Sequence, residues 1–341
     1  MLNKAHWIFV FVCVLLSSGV PSTSEEDATS PETLVIKARK SHEIWADGTP
    51  SVVMRAGIQV TNAKSALAPG QYTVTWVSPL RWRDELRFAN YERLRVHDAK
   101  GYWQKSGLNF QPEIIFQLDT LLDFKTVPKI GAKQVLGKLK SRDKDGVRQR
   151  CTGVKWTTGT ERILCFDEAS GDLLCVEYPR IENQTPPDIS RIEYSAFKNV
   201  GEKRVPFEIR AFRDRKIVAT VKILDITPLA EENPALFVAP TNSEYWVQCD
   251  DMQEAESVGH VQPPTYPPNA RLNGEQGRIV FYAVIEADGT LSHLRVIQPA
   301  TPALESAATI AIRQWHYKPA TCGSTPIRVE TSISMDFWLQ R

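Results

Sequence analysis

The chain has 341 residues, and its 41 basic residues nearly balance its 40 acidic ones. This balance produces no overall field that would attract nucleic acid or an anionic membrane surface, so composition favours neither as a partner. At roughly 150 residues per domain, the length predicts two domains.

Residues 1–24 have the order of a secretory signal. Lys4 stands in front, Trp7 to Leu16 is an apolar run, and small polar residues follow. The run is about half the ~20 residues that a membrane-spanning helix needs. We therefore expect residues 1–24 to be removed on export. An uncleaved signal that anchors the chain in the inner membrane is the alternative.

The region from residue 33 to residue 240 is rich in strand patterns. A first helix is predicted around Leu34, Ala38, Ile44 and Trp45, and it ends before Asp47. Runs typical of strands follow, at residues 52–60, 70–78, 83–96, 147–156, 162–167, 173–178, 189–200, 205–213 and 216–226.

Two helical patterns interrupt these strands. Residues 113–124 carry Ile115, Leu118 and Leu122 at helical spacing, and residues 132–139 have a weaker period of the same kind. Many consecutive strands with few helices predict an antiparallel sheet with helices on one face.

The end of this region carries a family pattern. Two late strands, at 205–209 and 218–226, precede Asn233-Pro234-Ala235-Leu236-Phe237 and Pro240. This pattern resembles the LolA-like (lipoprotein-localisation) fold, a curved sheet over helices that holds an acyl chain. The resemblance implies a lipid or lipoprotein ligand in the concave face. The alternative is a sealed core filled by aromatic residues, here Trp76, Trp82, Phe88, Trp103 and Phe110.

Five cysteines follow the predicted signal. In an exported protein, cysteines are more typical of disulfides than of metal ligands. A turn at residues 157–160 brings Cys151 near Cys165, and the next turn brings Cys175 near Cys165 as well. We favour a Cys151–Cys165 bridge with Cys175 left over, although another register would reverse these roles. Cys249 and Cys322 form the second candidate pair, which would clamp a connector at residues 241–262 onto the last domain.

The last segment, residues 263–341, reads as a hairpin, a helix and a long strand. The hairpin strands are Gly277 to Glu286 and Leu291 to Gln298, and the helix begins at Thr301-Pro302. Apolar and polar residues then alternate from Ile327 to Leu339, which is typical of a half-exposed strand. The whole chain is therefore predicted to be α+β, with a curved antiparallel sheet followed by this small domain.

Four motifs in this segment occur in the order of one family. They are Tyr266-Pro267-Pro268-Asn269-Ala270, Gly274-Glu275-Gln276-Gly277-Arg278-Ile279-Val280, Ile285-Glu286-Ala287-Asp288-Gly289 and Ala311-Ile312-Arg313-Gln314-Trp315-His316-Tyr317-Lys318-Pro319-Ala320. Over about 80 residues the segment resembles the TonB C-terminal domain. The resemblance implies a periplasmic domain that binds the TonB box, an extended peptide of an outer-membrane transporter, by strand addition.

The resemblance places partner binding on the last strand and on the residues before Tyr266. The predicted binding residues are Pro264, Thr265, Arg328, Glu330, Ser332, Ser334 and Asp336. The same open edge would also suit a homodimer. We interpret Tyr266, Trp315 and Tyr317 as residues of the core and turns.

Catalytic and metal-binding motifs do not appear in the sequence. The histidines are scattered, and there is no phosphate-binding loop, nucleophile elbow or zinc-ligand spacing. We therefore predict a binding protein without enzymatic activity, metal or cofactor. Three hypotheses follow: a periplasmic peptide-binding protein, an anchored energy transducer, or a lipid carrier that works through the middle domain.

Overall fold

The computed structural model describes residues 30–46, 48–61, 69–122, 127, 130, 134–156, 161–179, 189–249, 252–258 and 263–339. The predicted signal segment and the turn at residues 157–160 lie outside these ranges. No helix in the described ranges is long and apolar enough to cross a membrane.

The first region forms one antiparallel sheet with fourteen strands among the described residues. Their bounds are β1 Val52–Val60, β2 Gly70–Ser78, β3 Arg81–Phe88, β4 Tyr91–His97, β5 Gly101–Ser106, β6 Gln134–Leu136, β7 Lys140–Lys144, β8 Val147–Trp156, β9 Glu161–Asp167, β10 Leu173–Glu177, β11 Arg191–Val200, β12 Lys203–Arg213, β13 Lys216–Pro228 and β14 Glu244–Val247. The order is β14-β5-β4-β3-β2-β1-β13-β12-β11-β10-β9-β8-β6, and β7 also pairs with β8.

Two helices contribute buried residues to the core on one face of this sheet. The helix α1, Pro31–His42, is capped by Ser30, whose hydroxyl accepts from the amide of Thr33, and α2 spans Glu113–Leu122. A 3₁₀ turn at Pro234–Phe237 contacts β3. The helices and the strands share one continuous apolar core, which includes Val35, Met54, Trp76, Leu86, Phe88, Ile115, Leu118, Leu164, Phe166, Ile209 and Val221.

The predicted elements of this region are largely present, with two errors. Helix α1 ends at His42, so Ile44 and Trp45, which were predicted within it, lie beyond its end. The helix expected at residues 132–139 is wrong, because residues 134–136 form β6, which pairs with the end of β8. Hydrogen bonding of residues 134–136 to β8 stabilises a strand there, and this outweighs the weak helical preference of the sequence. The run at 83–96 is divided into β3 and β4 by a turn at Ala89, where φ is 53°.

The last region builds a separate three-stranded sheet from β17 Gly277–Ile285, β18 Leu291–Gln298 and β22 Val329–Phe337, in the order β18-β17-β22. Helices α3, Pro268–Leu272, and α4, Pro302–Ile312, accompany it. Odd-numbered residues of β17 and β22 pack against α4 in a second core, which contains Ala270, Ile279, Phe281, Leu304, Ala308, Ile312, Met335 and Phe337. The α+β class expected from the sequence is confirmed.

The chain between the two sheets is tied to the last region by short strand pairs. Residues Met252–Gln253 (β15) pair with Ala320–Cys322 (β20), which pairs with Thr325–Ile327 (β21). Residues Glu256–Ser257 (β16) pair with Tyr317–Lys318 (β19). The disulfide Cys249–Cys322 joins the same two stretches, with 5.9 Å between the Cα atoms.

The second disulfide lies within the first sheet. It joins Cys151 on β8 to Cys165 on β9, and Cys175 on β10 is a buried free thiol. Both pairings are those favoured from the sequence.

Candidate functional site

The last strand, β22, is an edge strand. It pairs with β17 at nine consecutive positions without a register shift, and among the described residues no strand pairs with its other side. A regular edge of this length presents unpaired backbone amides and carbonyls to another extended chain.

The opposite edge of the same sheet is less regular. The ladder between β17 and β18 shifts register twice, and His293 within β18 has a φ of 51°. Such irregularities bend a strand and disturb the row of groups that a partner strand would meet. Of the two edges, β22 is therefore the more regular.

The middle of β22 is open to solvent. Ser332 and Ser334 are exposed, and Asp336 is half-buried, where it accepts a hydrogen bond from Arg278 Nε at 2.9 Å. Since Arg278 belongs to β17, this ion pair joins neighbouring strands and leaves no net charge at that position. The polar face of β22 therefore offers small hydroxyl groups rather than a charged surface.

The beginning of β22 is held by the first sheet. Arg328 donates to the carbonyl of Tyr245 at 3.2 Å and to Glu244 Oε2 at 3.3 Å, and its guanidinium lies 4.4 Å from the centre of the Trp246 ring. The sequence pattern does not reveal these contacts, because all three partners lie more than 80 residues away along the chain.

Glu330 is also turned onto the first sheet. Its carboxylate accepts from the Tyr282 hydroxyl at 2.8 Å and from Gln104 Nε2 at 3.1 Å. Burial raises the pKa of Glu330, although these two hydrogen bonds act in the opposite direction. Two of the side chains that were predicted to face a partner, Arg328 and Glu330, thus take part in contacts with the first sheet.

The other end of β22 is close to the residues before Tyr266. The Tyr266 ring packs edge to face on Phe337 at 5.4 Å, and its hydroxyl donates to the carbonyl of Glu275. Thr265 is exposed and Pro264 is half-buried. Trp338, which interrupts the alternation of the sequence, is 62% exposed directly after β22.

An aromatic cluster joins the two regions. Trp246, Tyr282 and Val284 are buried, and Tyr102, Phe110, Phe116 and Ile297 pack around them. The Tyr282 ring lies 6.4 Å from both Phe110 and Phe116, measured between ring centres. One face of the last sheet is therefore covered by α4, and part of the other face is covered by the first region.

A buried charge network lies in the first sheet beside this interface. Arg93 on β4 donates to both carboxylate oxygens of Asp119 on α2, at 2.5 and 2.7 Å, while Arg95 and His97 contact Asp84 at 2.9 and 3.1 Å. The side chains of Arg93 and Asp84 are fully buried. The network fastens α2 to the sheet.

The pKa values in this network follow from burial and pairing. Burial would raise the pKa of Asp84, but the opposing effects of Arg95, His97 and Arg93 are larger and hold it below its usual range. Burial lowers the pKa of His97 to about 4 despite its contact with Asp84. The His97 imidazole is therefore neutral at pH 7, and it stacks on Trp82 with ring centres 3.4 Å apart.

The aromatic residues predicted for the middle domain take different positions. Trp76 and Phe88 are buried, at 2% and 4% exposure, whereas Trp103 is 36% exposed. Trp82 is partly buried against the core, and Phe110 lies at the contact between the two regions. A depression of about 250 Å³ is lined by Ile163, Glu177, Tyr178, Pro179, Ser190, Arg191 and Asp214, a mixed charged and apolar set. Within the described residues, Trp76 and Phe88 serve as filling of the core.

Residues 262–339 match the family model described as Gram-negative bacterial TonB protein C-terminal. The comparison with curated proteins gives no match. Among solved structures, the solution NMR structure of the Pseudomonas aeruginosa TonB CTD is 19% identical, with 27% of this chain and 98% of that chain covered and a TM-score of 0.23. The resemblance carried by the four motifs is therefore confirmed.

Two further solved structures cover a larger share of the chain. A LolA superfamily protein from Nitrosomonas europaea is 12% identical over 62% of this chain and 98% of that chain, with a TM-score of 0.40. A DUF1329 family protein from Desulfovibrio piger is 9% identical over 60% of this chain and 94% of that chain, with a TM-score of 0.42. The LolA superfamily is thus present among the matches. These TM-scores are too low to support an argument about the fold. The description of the fold therefore depends on the strand pairing of the chain itself.

Proposed function

We propose that the protein is an exported, periplasmic peptide-binding protein whose edge strand β22 takes up an extended peptide as a fourth strand of the last sheet. The observation that carries this proposal is the contrast between the two edges: β22 is regular over nine positions, whereas β18 is irregular. The resemblance to the TonB C-terminal domain indicates the TonB box of an outer-membrane transporter as the peptide.

The contacts at the beginning of β22 limit where the peptide binds. Because Arg328 and Glu330 are engaged with the first sheet, the accessible edge begins near Ser332 and ends at Phe337. At ~3.3 Å per residue this stretch accommodates about six residues of peptide. Affinity comes from backbone hydrogen bonds, and selectivity comes from side chains next to Ser332, Ser334 and Trp338.

The first sheet holds the last domain, and with it the edge strand β22, in a fixed position. The aromatic cluster, the contacts of Arg328 and the disulfide Cys249–Cys322 all hold the last domain against it. A fixed edge loses less conformational freedom on binding than a mobile one, which favours affinity.

Photo-crosslinking of the chain from residue 25 onwards, with its disulfides oxidised, tests the location. TonB-box peptides that carry a benzoyl-phenylalanine at successive positions are irradiated with the protein, and the crosslinked residues are identified by mass spectrometry. We expect crosslinks between Ser332 and Trp338. Crosslinks on β18 or on the first sheet would contradict the proposal.

N-methylation of the peptide tests the mode of binding. In strand addition, alternate peptide amides point towards β22, so methylation of those amides should weaken binding strongly while methylation of their neighbours should have little effect. The neighbouring positions are therefore the matched controls. Calorimetry that shows no alternation along the peptide would exclude strand addition even if the peptide binds.

A further inference from the structure

Three cysteines lie side by side across neighbouring strands of the first sheet. In the strand register, Cys165 on β9 stands directly opposite Cys151 on β8 and directly opposite Cys175 on β10. Directly opposed residues have Cβ atoms about 4.5–5.5 Å apart. Cys165 therefore has a cysteine directly opposite it on each neighbouring strand, and one of them is already its disulfide partner.

The three side chains occupy one buried cluster, with Ile163 packed against it. The remaining thiol, Cys175, is 2% exposed and its Sγ accepts from Arg142 Nη2 at 3.4 Å. Arg142 is itself paired with Glu177 at 3.0 Å. The free thiol is thus kept inside the protein, next to a disulfide that it faces.

We propose that Cys165 exchanges its disulfide partner within the folded chain, from Cys151 to Cys175. Cys175 loses its proton, its thiolate attacks Sγ of Cys165, and a Cys165–Cys175 bond forms as the Cys151–Cys165 bond breaks. Cys151 leaves as a thiolate and takes up a proton. The number of disulfides and the oxidation state of the protein are unchanged, so the step requires no external oxidant.

The exchange changes which strands are crosslinked. Before it, the bridge ties β8 to β9; afterwards it ties β9 to β10. Since β6 and β7 pair only with β8 among the described residues, the exchange releases this edge of the sheet from its covalent attachment to β9. The edge is then held by hydrogen bonds and packing alone, and it opens more easily.

The surroundings of Cys175 restrain the exchange near neutral pH. Burial, followed by the charge of Glu177, raises the pKa of Cys175 to about 11, and Arg142 acts in the opposite direction. Because the thiolate is the attacking species, the exchange rate should increase about tenfold each time the pH is raised by one unit, as long as the pH stays below that pKa.

The tryptic peptides of this chain separate the two isomers cleanly. Trypsin cleaves after Arg150, Lys155, Arg162 and Arg180, so Cys151 lies in residues 151–155 while Cys165 and Cys175 share residues 163–180. The original isomer links the two peptides. The exchanged isomer gives a peptide 163–180 with an internal disulfide and a separate peptide 151–155 with a free thiol.

The protein is incubated at pH 7.5, 8.5 and 9.5 without any thiol reagent, then acid-quenched, alkylated and digested. We expect the peptide with the internal disulfide to appear at a rate that rises with pH. Alkylation of Cys175 alone, at every pH and time at which the protein stays folded, would overturn the proposal.

Cysteine variants provide a second measurement. After refolding in a glutathione redox buffer, Cys151→Ser should contain a Cys165–Cys175 disulfide, and two free thiols in a folded Cys151→Ser protein would overturn the proposal. Cys165→Ser is the matched control. Cys151 and Cys175 lie two strand spacings apart, about 10 Å, beyond the ~7 Å limit between Cα atoms, so both thiols should stay free. The intact Cys249–Cys322 disulfide reports folding in each variant.

Discussion

The inner face of β3 and β4 differs from the core of the last domain, because it buries charged side chains beside apolar ones such as Leu86 and Phe88. The core between α4 and the last sheet is formed by apolar side chains such as Ile279, Leu304 and Phe337. The inner face of β3 and β4 instead buries Asp84 and Arg93, together with the partners that neutralise them. The apolar core follows directly from alternation in the sequence, whereas the charged face depends on a helix that brings Asp119 to it.

Because of this difference, the sequence of β4 on its own predicts the wrong side chains to face solvent. Its residues Arg93, Arg95 and His97 alternate with Leu94 and Val96, a pattern that predicts the charged set outside. The structure instead turns these side chains inwards, because Asp84 and Asp119 pair with the two arginines and the neutral His97 contacts Asp84. Buried charges of this kind are stable only while every partner is present.

The largest expected effect comes from removing one partner of the network. Arg93→Met removes the partner of the half-buried Asp119 and one partner of the fully buried Asp84, so we expect the free energy of unfolding to fall by about 3–5 kcal/mol. Urea unfolding followed by circular dichroism measures the change. Arg55→Met is the control, because Arg55 forms an exposed pair with Asp225, and it should cost under ~1 kcal/mol. Equal losses would show that the network does not stabilise the sheet.

The disulfide between the regions tests how firmly the last domain is attached. Replacing both Cys249 and Cys322 by Ser opens a link between residues 73 positions apart, and we expect a loss of about 3 kcal/mol. The same variant should also weaken the contacts of Arg328 with Tyr245. Faster amide exchange at residues 328–330 would show this, and unchanged exchange there would mean that the aromatic cluster suffices for docking.

Acid should affect the first region before the last. The folded pKa of His97 is about 4, below its ordinary value of 6.5, so the folded state binds fewer protons in this interval. The stability is therefore complete above pH 6.5 and declines as the pH falls towards 4, by up to ~1.4 kcal/mol per pH unit.

His42 contributes in the same direction. Burial lowers its pKa, and the neutral ring donates from Nδ1 to the carbonyl of Arg204 and accepts at Nε2 from the amide of Leu173. Chemical denaturation at pH 7, 6, 5 and 4 measures the slope. The variant His97→Gln should flatten it, and a slope that is unchanged in this variant would assign the acid sensitivity to other groups.

The smallest expected effect lies at the contact between the regions. Tyr282→Phe removes the hydroxyl that donates to Glu330, and we expect a loss of about 1–2 kcal/mol. Because the hydrogen bond supports the ionised carboxylate, the loss should be greater at pH 8 than at pH 4. Ser332→Ala, on the exposed part of β22, should change the stability by under ~0.5 kcal/mol at both pH values.

Short-range patterns predicted most of the last domain. The Asp288-Gly289 turn between the hairpin strands, the helix start at Thr301-Pro302 and the alternation after Ile327 each depend on neighbours within a few residues. The structure accordingly has β17, β18, α4 and β22 close to their predicted bounds. The proximity of Cys151 to Cys165 is equally local, because one hairpin brings them opposite each other, but the next hairpin brings Cys175 opposite Cys165 as well.

The candidate site was only partly accessible to such reasoning. Alternation along β22 places Arg328, Glu330, Ser332, Ser334 and Asp336 on one face, and the structure agrees with that face. Alternation does not reveal that the first two of these residues contact Tyr245 and Gln104, which approach from the other region of the chain. The sequence therefore did not indicate that Arg328 and Glu330 form contacts within the chain.

The sequence by itself determined the α+β class and the strands and helix of the small domain at the end of the chain, because turn residues, period-two alternation and helical spacing act over short distances. Only the tertiary structure decided which charges are buried and which side chains at β22 contact the first sheet. Both depend on groups that are brought together from distant positions, Asp119 against Arg93 and the first sheet against Arg328, and a local pattern carries no information about such partners.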